Sequence, residues 1–567
     1  MLVTIAACRG PEGGGLDTAY TSSTGTTAEE SDGSDDPVDT DTETETGTDT
    51  DGPDGDPLWF VVAGSYDSVL MAVDLSNPHD VPPAQFIASG DAIAGLFGPT
   101  PFGSEAVTHD GNIRQLRVTA EGTLELAPLA TQEGNWIADL WFGDDGANAL
   151  MTTSPDSLSG PTTLLWARYA QGELTNSFDL TPPKDPAGLV MILDRSPDSR
   201  WAAAVVDIQG NGVWDLYLLP IDDQPGATSY VDHLLLTGIP PMSVRSFLSL
   251  HLDDERIVYR REALPMIARP MAVGLDNPDA APVELGPNLP HTYSITPGSD
   301  NSRLLVTTGG ETGYRELRLI ELDGPTSALP PLTITEPNAL ALENSLSTLG
   351  LATAHGHGFD ALGRIYYVWG DTTLPQTASV GISLVTVTDG AIAERLELAD
   401  IPPGATIEDV RFDAELQLLG YRVRSGNSSS IHYIDLGEEQ PVSVRVDQSF
   451  EHDDDEPEDH ANFGWSADGS RIAAVGVQQG VTSLHVAELG DASGATVEIE
   501  VPDVELTPGY IFDHRPSVSP NGEQLMLWYG TQAGRKGLIH APTDGSAAGQ
   551  VVLPPQHSLT SGTYLPR

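Results

Sequence analysis

The side chains in this sequence best suited to act together in chemistry are four histidines. When repeated segments of the chain are aligned on their first turn, the four fall within one or two positions of each other, at His355, His357, His460 and His514. Convergent imidazoles can hold a divalent transition metal. His355 and His357 are two residues apart, so on a strand both would face the same way. The alignment predicts a metal site, and the alternative is that each histidine only hydrogen-bonds the next repeat.

A second candidate is a calcium site in residues 207–215, DIQGNGVWD. Asp207, Asn211 and Asp215 stand at the first, fifth and ninth places of this segment, where calcium loops carry oxygen ligands. Gln209 is a poor ligand for the third place. Glycine-rich hairpins also reverse the chain without a metal. The pattern leaves two interpretations open, a calcium loop and a structural hairpin.

The densest run of acids is HDDDEPEDH, residues 452–460. Its carboxylates could bind calcium or a basic partner, and the candidates are Asp453, Asp454 and Asp455. Runs of like charge are usually solvated loops, and this one is predicted to be an insertion between two repeats. No cofactor is certain from the sequence. If one is bound, we expect a divalent cation, either calcium or a transition metal.

Repeats of a strand and turn unit must position these residues, and the clearest copy is SPDSRWAAAVVDIQGNGVWDLYLLPID, residues 196–222. Its Ser-Pro-Asp opening favours a turn. Residues 201–206 form an apolar run typical of a buried strand, and the Gly-Asn-Gly hairpin leads into a second strand. Similar units recur about every 40 to 60 residues, each with about four short strands, which is typical of β-propeller blades.

The predicted fold is therefore all-β, a single large β-propeller of about eight to ten four-stranded blades. The first unit starts at Leu58 and lacks an opening strand, whereas residues 557–567 have no partners of their own. We expect one blade to be shared between the two ends, which would close the ring. One ring is expected rather than two, because no linker-like stretch interrupts the repeats.

The turn, apolar strand, Gly-Asn hairpin and Leu-Tyr strand of residues 196–222 resemble the blades of TolB-type propellers, which are related to Trp-Asp-repeat propellers. Residues 514–522, HRPSVSPNG, resemble the end of the inner strand in that family. The resemblance covers most of residues 58–555 and is strongest at 190–222, 460–490 and 512–541. It implies a propeller, but no function follows, because such propellers act both as binding platforms and as enzyme domains.

TolB-like propellers precede a serine peptidase domain in prolyl-oligopeptidase-type enzymes. Such a domain needs a Gly-x-Ser-x-Gly elbow, and the sequence contains none. It also lacks a Gly-x-x-x-x-Gly-Lys phosphate loop and a His-Glu-x-x-His metal helix. The enzyme class that remains is a metal-dependent polysaccharide lyase or glycosidase, since the histidine arrangement loosely resembles oligogalacturonate-lyase-type propellers.

The chain is strongly acidic, with a formal net charge of -57. Such a surface repels phosphate backbones, which argues against a nucleic-acid partner and allows cations or basic proteins. Solubility in a salty habitat is a simpler reason for the same charge. No apolar run reaches the roughly 18 residues of a membrane-spanning helix. We expect a monomer.

Cys8 is the single cysteine, and Ile5-Ala6-Ala7-Cys8 matches the lipobox of bacterial lipoprotein signal peptides. The departures are a missing basic n-region and a short apolar stretch. Residues 1–8 are interpreted as the remnant of such a signal, with Cys8 as the lipidation site. Residues 9–56 are predicted to be a disordered acidic linker and residues 57–567 the propeller. The alternative is a chance cysteine in a cytoplasmic protein.

Together these features predict a lipoprotein of the bacterial cell envelope, on the outer membrane or the cell surface. Its propeller would bind an envelope protein or a glycan without catalysis, and only the lipid anchor would contact the membrane. The four aligned histidines fall near the start of the innermost strand of their repeats, where residues line the central channel of a propeller. The competing hypothesis is a metal-dependent propeller enzyme that uses these histidines and acids of the channel.

Overall fold

The structure is a computed structural model that describes residues 58–566 apart from a series of short segments. The segments left out are 65–68, 78, 90–95, 100–104, 110–111, 120–121, 132–135, 143–147, 156–160, 171–172, 183, 199, 222–232, 240–249, 265–266, 287–288, 310–313, 337–338, 343–355, 372–379, 400, 402–403, 427, 447–449, 452–461, 479–480, 490–495, 502–515, 531–534, 558 and 560.

The described residues form antiparallel sheets, and each unit of four or five neighbouring strands is called a blade. Blade 1 contains β1 Leu58–Gly64, β2 Val69–Asp74, β3 Gln85–Ser89 and, from the other end of the chain, β43 Ser561–Pro566. Blade 2 contains β4 Leu96–Pro99, β5 Glu105–His109, β6 Asn112–Val118 and β7 Leu124–Thr131. Blade 3 contains β8 Trp136–Phe142, β9 Asn148–Ser154, β10 Thr163–Ala170 and β11 Glu173–Asp179.

The next three blades follow the same order along the chain. Blade 4 contains β12 Leu189–Arg195, β13 Trp201–Asp207, β14 Trp214–Pro220 and β15 His233–Ile239. Blade 5 contains β16 Leu250–Leu252, β17 Arg256–Leu264, β18 Ile267–Gly274 and β19 Val283–Glu284. Blade 6 contains β20 Thr292–Pro297, β21 Arg303–Thr308, β22 Tyr314–Gly324, β23 Ser327–Ala328 and β24 Leu332–Thr333.

The last four blades complete the set. Blade 7 contains β26 His357–Phe359, β27 Ile365–Asp371, β28 Val380–Thr388 and β29 Ala391–Glu397, and β25 Ala339–Leu342 pairs with both β22 and β27. Blade 8 contains β30 Thr406–Asp413, β31 Leu418–Ser425, β32 Ser428–Asp435, β33 Ser443–Arg445 and β34 Phe450–Glu451. Blade 9 contains β35 Asn462–Trp465, β36 Arg471–Gln478, β37 Val481–Glu488 and β38 Thr496–Ile499. Blade 10 contains β39 Pro516–Val518, β40 Gln524–Gly530, β41 Lys536–Pro542 and β42 Gln550–His557.

Apolar clusters between consecutive blades join these sheets into one ring. In the cluster between blades 4 and 5, Val205 and Leu218 pack with Ile257 and Tyr259, all fully buried. Equivalent clusters join each of the remaining pairs of neighbouring blades from blade 3 to blade 10. Two more clusters join blade 10 to blade 1 and blade 1 to blade 2. Blades 2 and 3 meet where β7 contacts β11. The described residues therefore form a single all-β propeller of ten blades, as the sequence predicted.

The two ends of the chain close the ring within blade 1. Strand β43 pairs antiparallel with β1, in a register that sets Phe60 opposite Tyr564 and Val62 opposite Gly562. The strand order β3-β2-β1-β43 makes β43 the innermost strand of this blade. The prediction that one blade is shared between the two ends is confirmed. Within the described residues no helix is long and apolar enough to span a membrane.

The inside of the ring is formed by β43 in blade 1 and by the first strand of each other blade. Strand β12 contacts β16, β16 contacts β20, and β35 contacts β39, although each pair belongs to different blades. Fourth strands face outward: the first four residues of β29 are exposed. Because the inner strands of neighbouring blades lie close together around the centre of the ring, polar side chains on them can reach the neighbouring blade.

A buried Ser or Asp begins the turn between the first and second strands of several blades. Its side-chain oxygen accepts the N–H of the residue at the start of the second strand, at 2.7–3.0 Å, in the pairs Ser196–Trp201, Asp360–Arg364, Ser466–Arg471 and Ser519–Gln524. This bond satisfies a backbone donor that the turn would otherwise leave buried without a partner. The recurrent turn seen in the sequence is thus a device that aligns the inner strand with the next one.

The residue that starts the second strand often carries a further contact, which we call the interblade clasp. Its side chain donates to an oxygen at or just after the end of the third strand of the following blade, in the pairs Arg256–Gly324, Arg364–Leu436, Arg471–Thr543 and Gln524–Leu75. Sequence analysis overlooked these residues. They could have been recognised from the sequence, because each is an Arg or Gln that stands directly before the apolar run of the second strand.

Candidate functional site

The inner strands carry a set of polar side chains that bridge neighbouring blades, and we call this set the inner polar belt. Its members are Asp194, His251, Thr296, His357, Arg411 and Tyr564. It is the candidate functional site because it collects titratable groups on the innermost strands, where the predicted histidine His357 also lies.

Asp194 lies on β12 and joins blade 4 to blade 5. Its Oδ2 accepts the N–H of Leu252 at 3.0 Å, and its Oδ1 accepts the N–H of Arg195 at 2.8 Å. Burial raises the pKa of the Asp194 carboxyl to about 6, although both hydrogen bonds act to lower it. Asp194 therefore titrates closer to neutral pH than an ordinary aspartate does.

His251 lies on β16 and joins blade 5 to blade 6. Its Nε2 is 3.0 Å from Oδ1 of Asn301, which sits in the first turn of blade 6 with a left-handed φ of 54°. Burial lowers the pKa of His251, while the carboxylate of Asp253 and the bond to Asn301 act in the opposite direction. The imidazole is thus neutral near pH 7, and Nε2 donates to the amide oxygen.

His357 is the one member of the predicted histidine set that lies within the described residues. It begins β26 and is 1% exposed. Its Nε2 lies 3.4 Å from Oγ1 of Thr296 on β20, so it contacts the inner strand of blade 6. The partner belongs to the preceding blade, whereas the alternative interpretation of the histidines named the next one. The metal site itself stays a prediction, because His355, His460 and His514 lie outside the described residues.

Two further members complete the belt. The guanidinium of Arg411 on β30 donates to the carbonyl of Phe463 in blade 9, and it lies 4.4 Å from the centre of the Phe463 ring. The hydroxyl of Tyr564 on β43 donates to the carbonyl of Ser517 at 2.6 Å, which ties blade 1 to blade 10. Burial raises the pKa of Tyr564 well above its ordinary value, so it remains a donor.

His291 is a histidine that sequence analysis missed. It immediately precedes β20, close to the place that His355 and His357 take before and at the start of β26. Its Nδ1 accepts the N–H of Ala268 at 2.9 Å, and its ring meets the edge of Tyr293 at 4.4 Å. Extending the alignment to the blade 6 connection would have found it.

The hairpin between β13 and β14 holds the residues of the first calcium hypothesis. Asp207 is 2% exposed, and its Oδ1 and Oδ2 accept the N–H groups of Asn211 and Gly212 at 3.1 and 2.7 Å. Asn211 in turn accepts the N–H of Val213 through Oδ1 at 2.9 Å. These bonds turn the chain by themselves, in agreement with the structural-hairpin interpretation, and calcium binding here stays a prediction.

The remaining predicted residues have no described position. Cys8 and the acidic run of Asp453, Asp454 and Asp455 fall outside the described residues. Across the part of the chain that the structure describes, no three His, Cys, Asp or Glu side chains are grouped so that they could hold a metal ion.

Comparison with known proteins gives similarity of fold without a family. No family model and no curated protein matches the chain. Solved structures that match include a prolyl endopeptidase (11% identity, TM-score 0.34, 68% of this chain and 54% of that one), a eukaryotic initiation factor (12%, 0.43, 90% and 99%) and TolB from Acinetobacter baumannii (16%, 0.24, 67% and 82%). The chain spans about half the length of the prolyl endopeptidase. The propeller assignment itself rests on the strand order and the ring of interblade clusters.

Proposed function

We propose that this chain is a lipid-anchored protein of the bacterial cell envelope whose propeller binds a protein ligand without catalysing a reaction on it. The observation that carries the proposal is the inner polar belt. Its described side chains bond the neighbouring blade, so they hold the ring in shape. A rigid ring favours binding, because little conformational freedom is lost when a partner docks.

The charge of one face supports a basic partner. The turns after the first and third strands lie at the same end of every blade, and neighbouring turns meet where the N–H of Asp198 donates to Oδ1 of Asp254 at 2.9 Å. Exposed residues with carboxylates on this face include Asp254, Glu255, Asp276, Asp300, Glu438, Glu439 and Asp544. Such a face attracts a positively charged protein surface and repels an anionic glycan.

The anchor is tested by lipid labelling. The full gene product is expressed in a bacterium with labelled palmitate, alongside the variant Cys8→Ser. We expect label and membrane association for the unchanged chain and neither for the variant, because no second cysteine is present. An unchanged chain that takes up no label would overturn the anchor.

Ligand binding is tested with the full chain immobilised and exposed to solubilised envelope proteins at increasing salt. We expect a basic protein to be retained at low salt and released as ionic strength rises, since salt screens exposed charges. A screen for glycan depolymerisation with added divalent metal runs in parallel. Turnover that is lost in the variant His357→Ala would favour the enzyme hypothesis and refute the proposal.

A further inference from the structure

The hairpin between β13 and β14 brings together groups that can modify their own backbone. Asn211 is followed by Gly212, and the side chain of Asn211 is exposed at the tip of the hairpin. An Asn-Gly pair can cyclise when the glycine nitrogen attacks the side-chain amide carbon. Glycine has no Cβ to obstruct the attack, and Gly212 has a φ of 82° that other residues rarely adopt.

Three hydrogen bonds around this pair match the requirements of that reaction. The attacking nitrogen of Gly212 donates its proton to Oδ2 of Asp207 at 2.7 Å, so a carboxylate base is in place. The N–H of Val213 lies 2.9 Å from Oδ1 of Asn211, where negative charge would develop. Nδ2 of Asn211 is held by Oε1 of Gln209 at 3.1 Å, which orients the leaving group.

The hairpin is also held in place from outside. The N–H of Asp185 donates to the carbonyl of Ile208 at 2.9 Å, and a Cβ on Gly210 would lie 2.7 Å from the carbonyl oxygen of Ala187. The connection before β12 thus packs closely against the hairpin. This packing keeps the reacting groups in one arrangement instead of leaving them to a flexible loop.

We propose that Asn211 is a site of self-catalysed deamidation in which Asp207 acts as the base. Asp207 takes the proton of the Gly212 nitrogen as that nitrogen bonds to Cγ of Asn211, and the oxygen of the side-chain amide becomes negative. The bond from Cγ to Nδ2 then breaks, and Nδ2 leaves as ammonia with the proton that Asp207 returns. Water opens the resulting succinimide to aspartate or isoaspartate, which adds one negative charge to the hairpin.

The same chain provides a matched control. Its other Asn-Gly pair is Asn521-Gly522, which lies in the first turn of blade 10. There the glycine N–H donates to the backbone carbonyl of Ser519 at 2.9 Å, and a carbonyl oxygen is a far weaker base than a carboxylate. The two sites share their dipeptide and a glycine with positive φ, and they differ in the acceptor that faces the glycine nitrogen.

The test is a time course of the full chain at neutral pH, digested with trypsin and analysed by mass spectrometry. Cleavage at arginine places the two pairs in separate peptides, 201–245 and 472–535, each with one asparagine. General base catalysis contributes about a hundredfold or more, so we expect Asn211 to react at least about tenfold faster than Asn521. Equal rates, or faster reaction at Asn521, would overturn the proposal.

The variant Asp207→Asn removes the base. Its single amide oxygen can accept the N–H of Gly212 but then leaves the N–H of Asn211 without its acceptor, so hydrogen exchange of β13 and β14 is measured to show that the hairpin persists. The amide cannot take the proton, so we expect the rate at residue 211 to fall to that of Asn521. In urea both pairs lose their surroundings, and their rates should become similar in both proteins. An undiminished rate in folded Asp207→Asn would refute the role of the carboxylate.

Discussion

Replacing Arg364 by leucine should destabilise the folded chain by about 3–5 kcal/mol and loosen the contact between blades 7 and 8. The guanidinium of Arg364 lies 2.6 Å from Oδ2 of Asp360 and also donates to the carbonyl of Leu436 in blade 8 at 2.5 Å. The side chains of Asp360 and Arg364 are 0% and 11% exposed. Leucine keeps apolar contacts but removes the charge that balances a fully buried carboxylate.

The size of the effect follows from what is left behind. An ion pair that is broken by removing one partner leaves an uncompensated buried charge, which costs about 3–5 kcal/mol. The double variant Asp360→Asn with Arg364→Leu removes both charges, and its amide can still accept the N–H of residue 364. We expect it to lose less stability than Arg364→Leu alone, and the difference measures the coupling of the pair.

The matched control is Arg200→Leu in the turn of blade 4. Arg200 forms an ion pair with Asp198, but the two side chains are 69% and 23% exposed. Solvent screens such a pair, so its loss should cost at most about 1 kcal/mol. The two substitutions remove the same side chain from equivalent turns, and they differ in burial and in the interblade bond that only Arg364 makes.

Hydrogen exchange is the suitable assay because it reports the opening free energy of individual strands. In Arg364→Leu the amides of β27 and β31 should exchange faster, while those of β13 keep their protection. In Arg200→Leu protection should change little in any blade. If Arg364→Leu protects β27 and β31 as well as the unchanged chain does, or if the double variant is the less stable one, the clasp does not join these blades as argued.

Two further predictions concern the closure of the ring and the pH dependence of its stability. A chain that stops after His557 lacks β43 and exposes the edge of β1, so a protease should cut it faster at blade 1. A synthetic peptide of residues 558–567 should restore the resistance to protease. If the shortened chain resists the protease as well as the full chain does, closure of the ring by β43 is contradicted. Burial lowers the pKa of His540 to about 4, so the unfolded chain takes up a proton first as the pH falls. The free energy of unfolding should therefore decrease by about 3 kcal/mol between about pH 6.5 and pH 4. Urea titrations of His540→Gln should show a decrease that is smaller by this amount, and an identical pH dependence in the two proteins would refute the assignment.

Much of the fold could be predicted from the sequence because a propeller is built from local patterns. The Ser-Pro-Asp turn at Ser196, the apolar run after it and the Gly-Asn-Gly hairpin are each set by residues close in the chain. The shared blade could also be predicted, because the first unit lacks an opening strand and the last residues of the chain have no partner strand of their own. The sequence predicted about eight to ten blades but not the exact number, since the repeated pattern is hard to recognise in the first third of the chain.

The candidate site was harder to predict from the sequence than the fold. Spacing drew attention to Asp207 and Asn211 as calcium ligands, yet it could not tell whether their oxygens face a cation or the N–H groups of their own turn. The alignment of histidines directed His357 to the inner strand correctly. It could not show that His357 would contact Thr296 of the preceding blade.

The sequence by itself determined the strands, the turns and the acidic surface, because these depend on neighbouring residues and on composition. Only the tertiary structure decided which side chains meet across blades. Asp194 and Leu252 are 58 residues apart, and the two residues of the clasp at Arg364 and Leu436 are 72 apart. Contacts at such separations depend on how sheets pack around the ring, and no local pattern in the chain encodes that register.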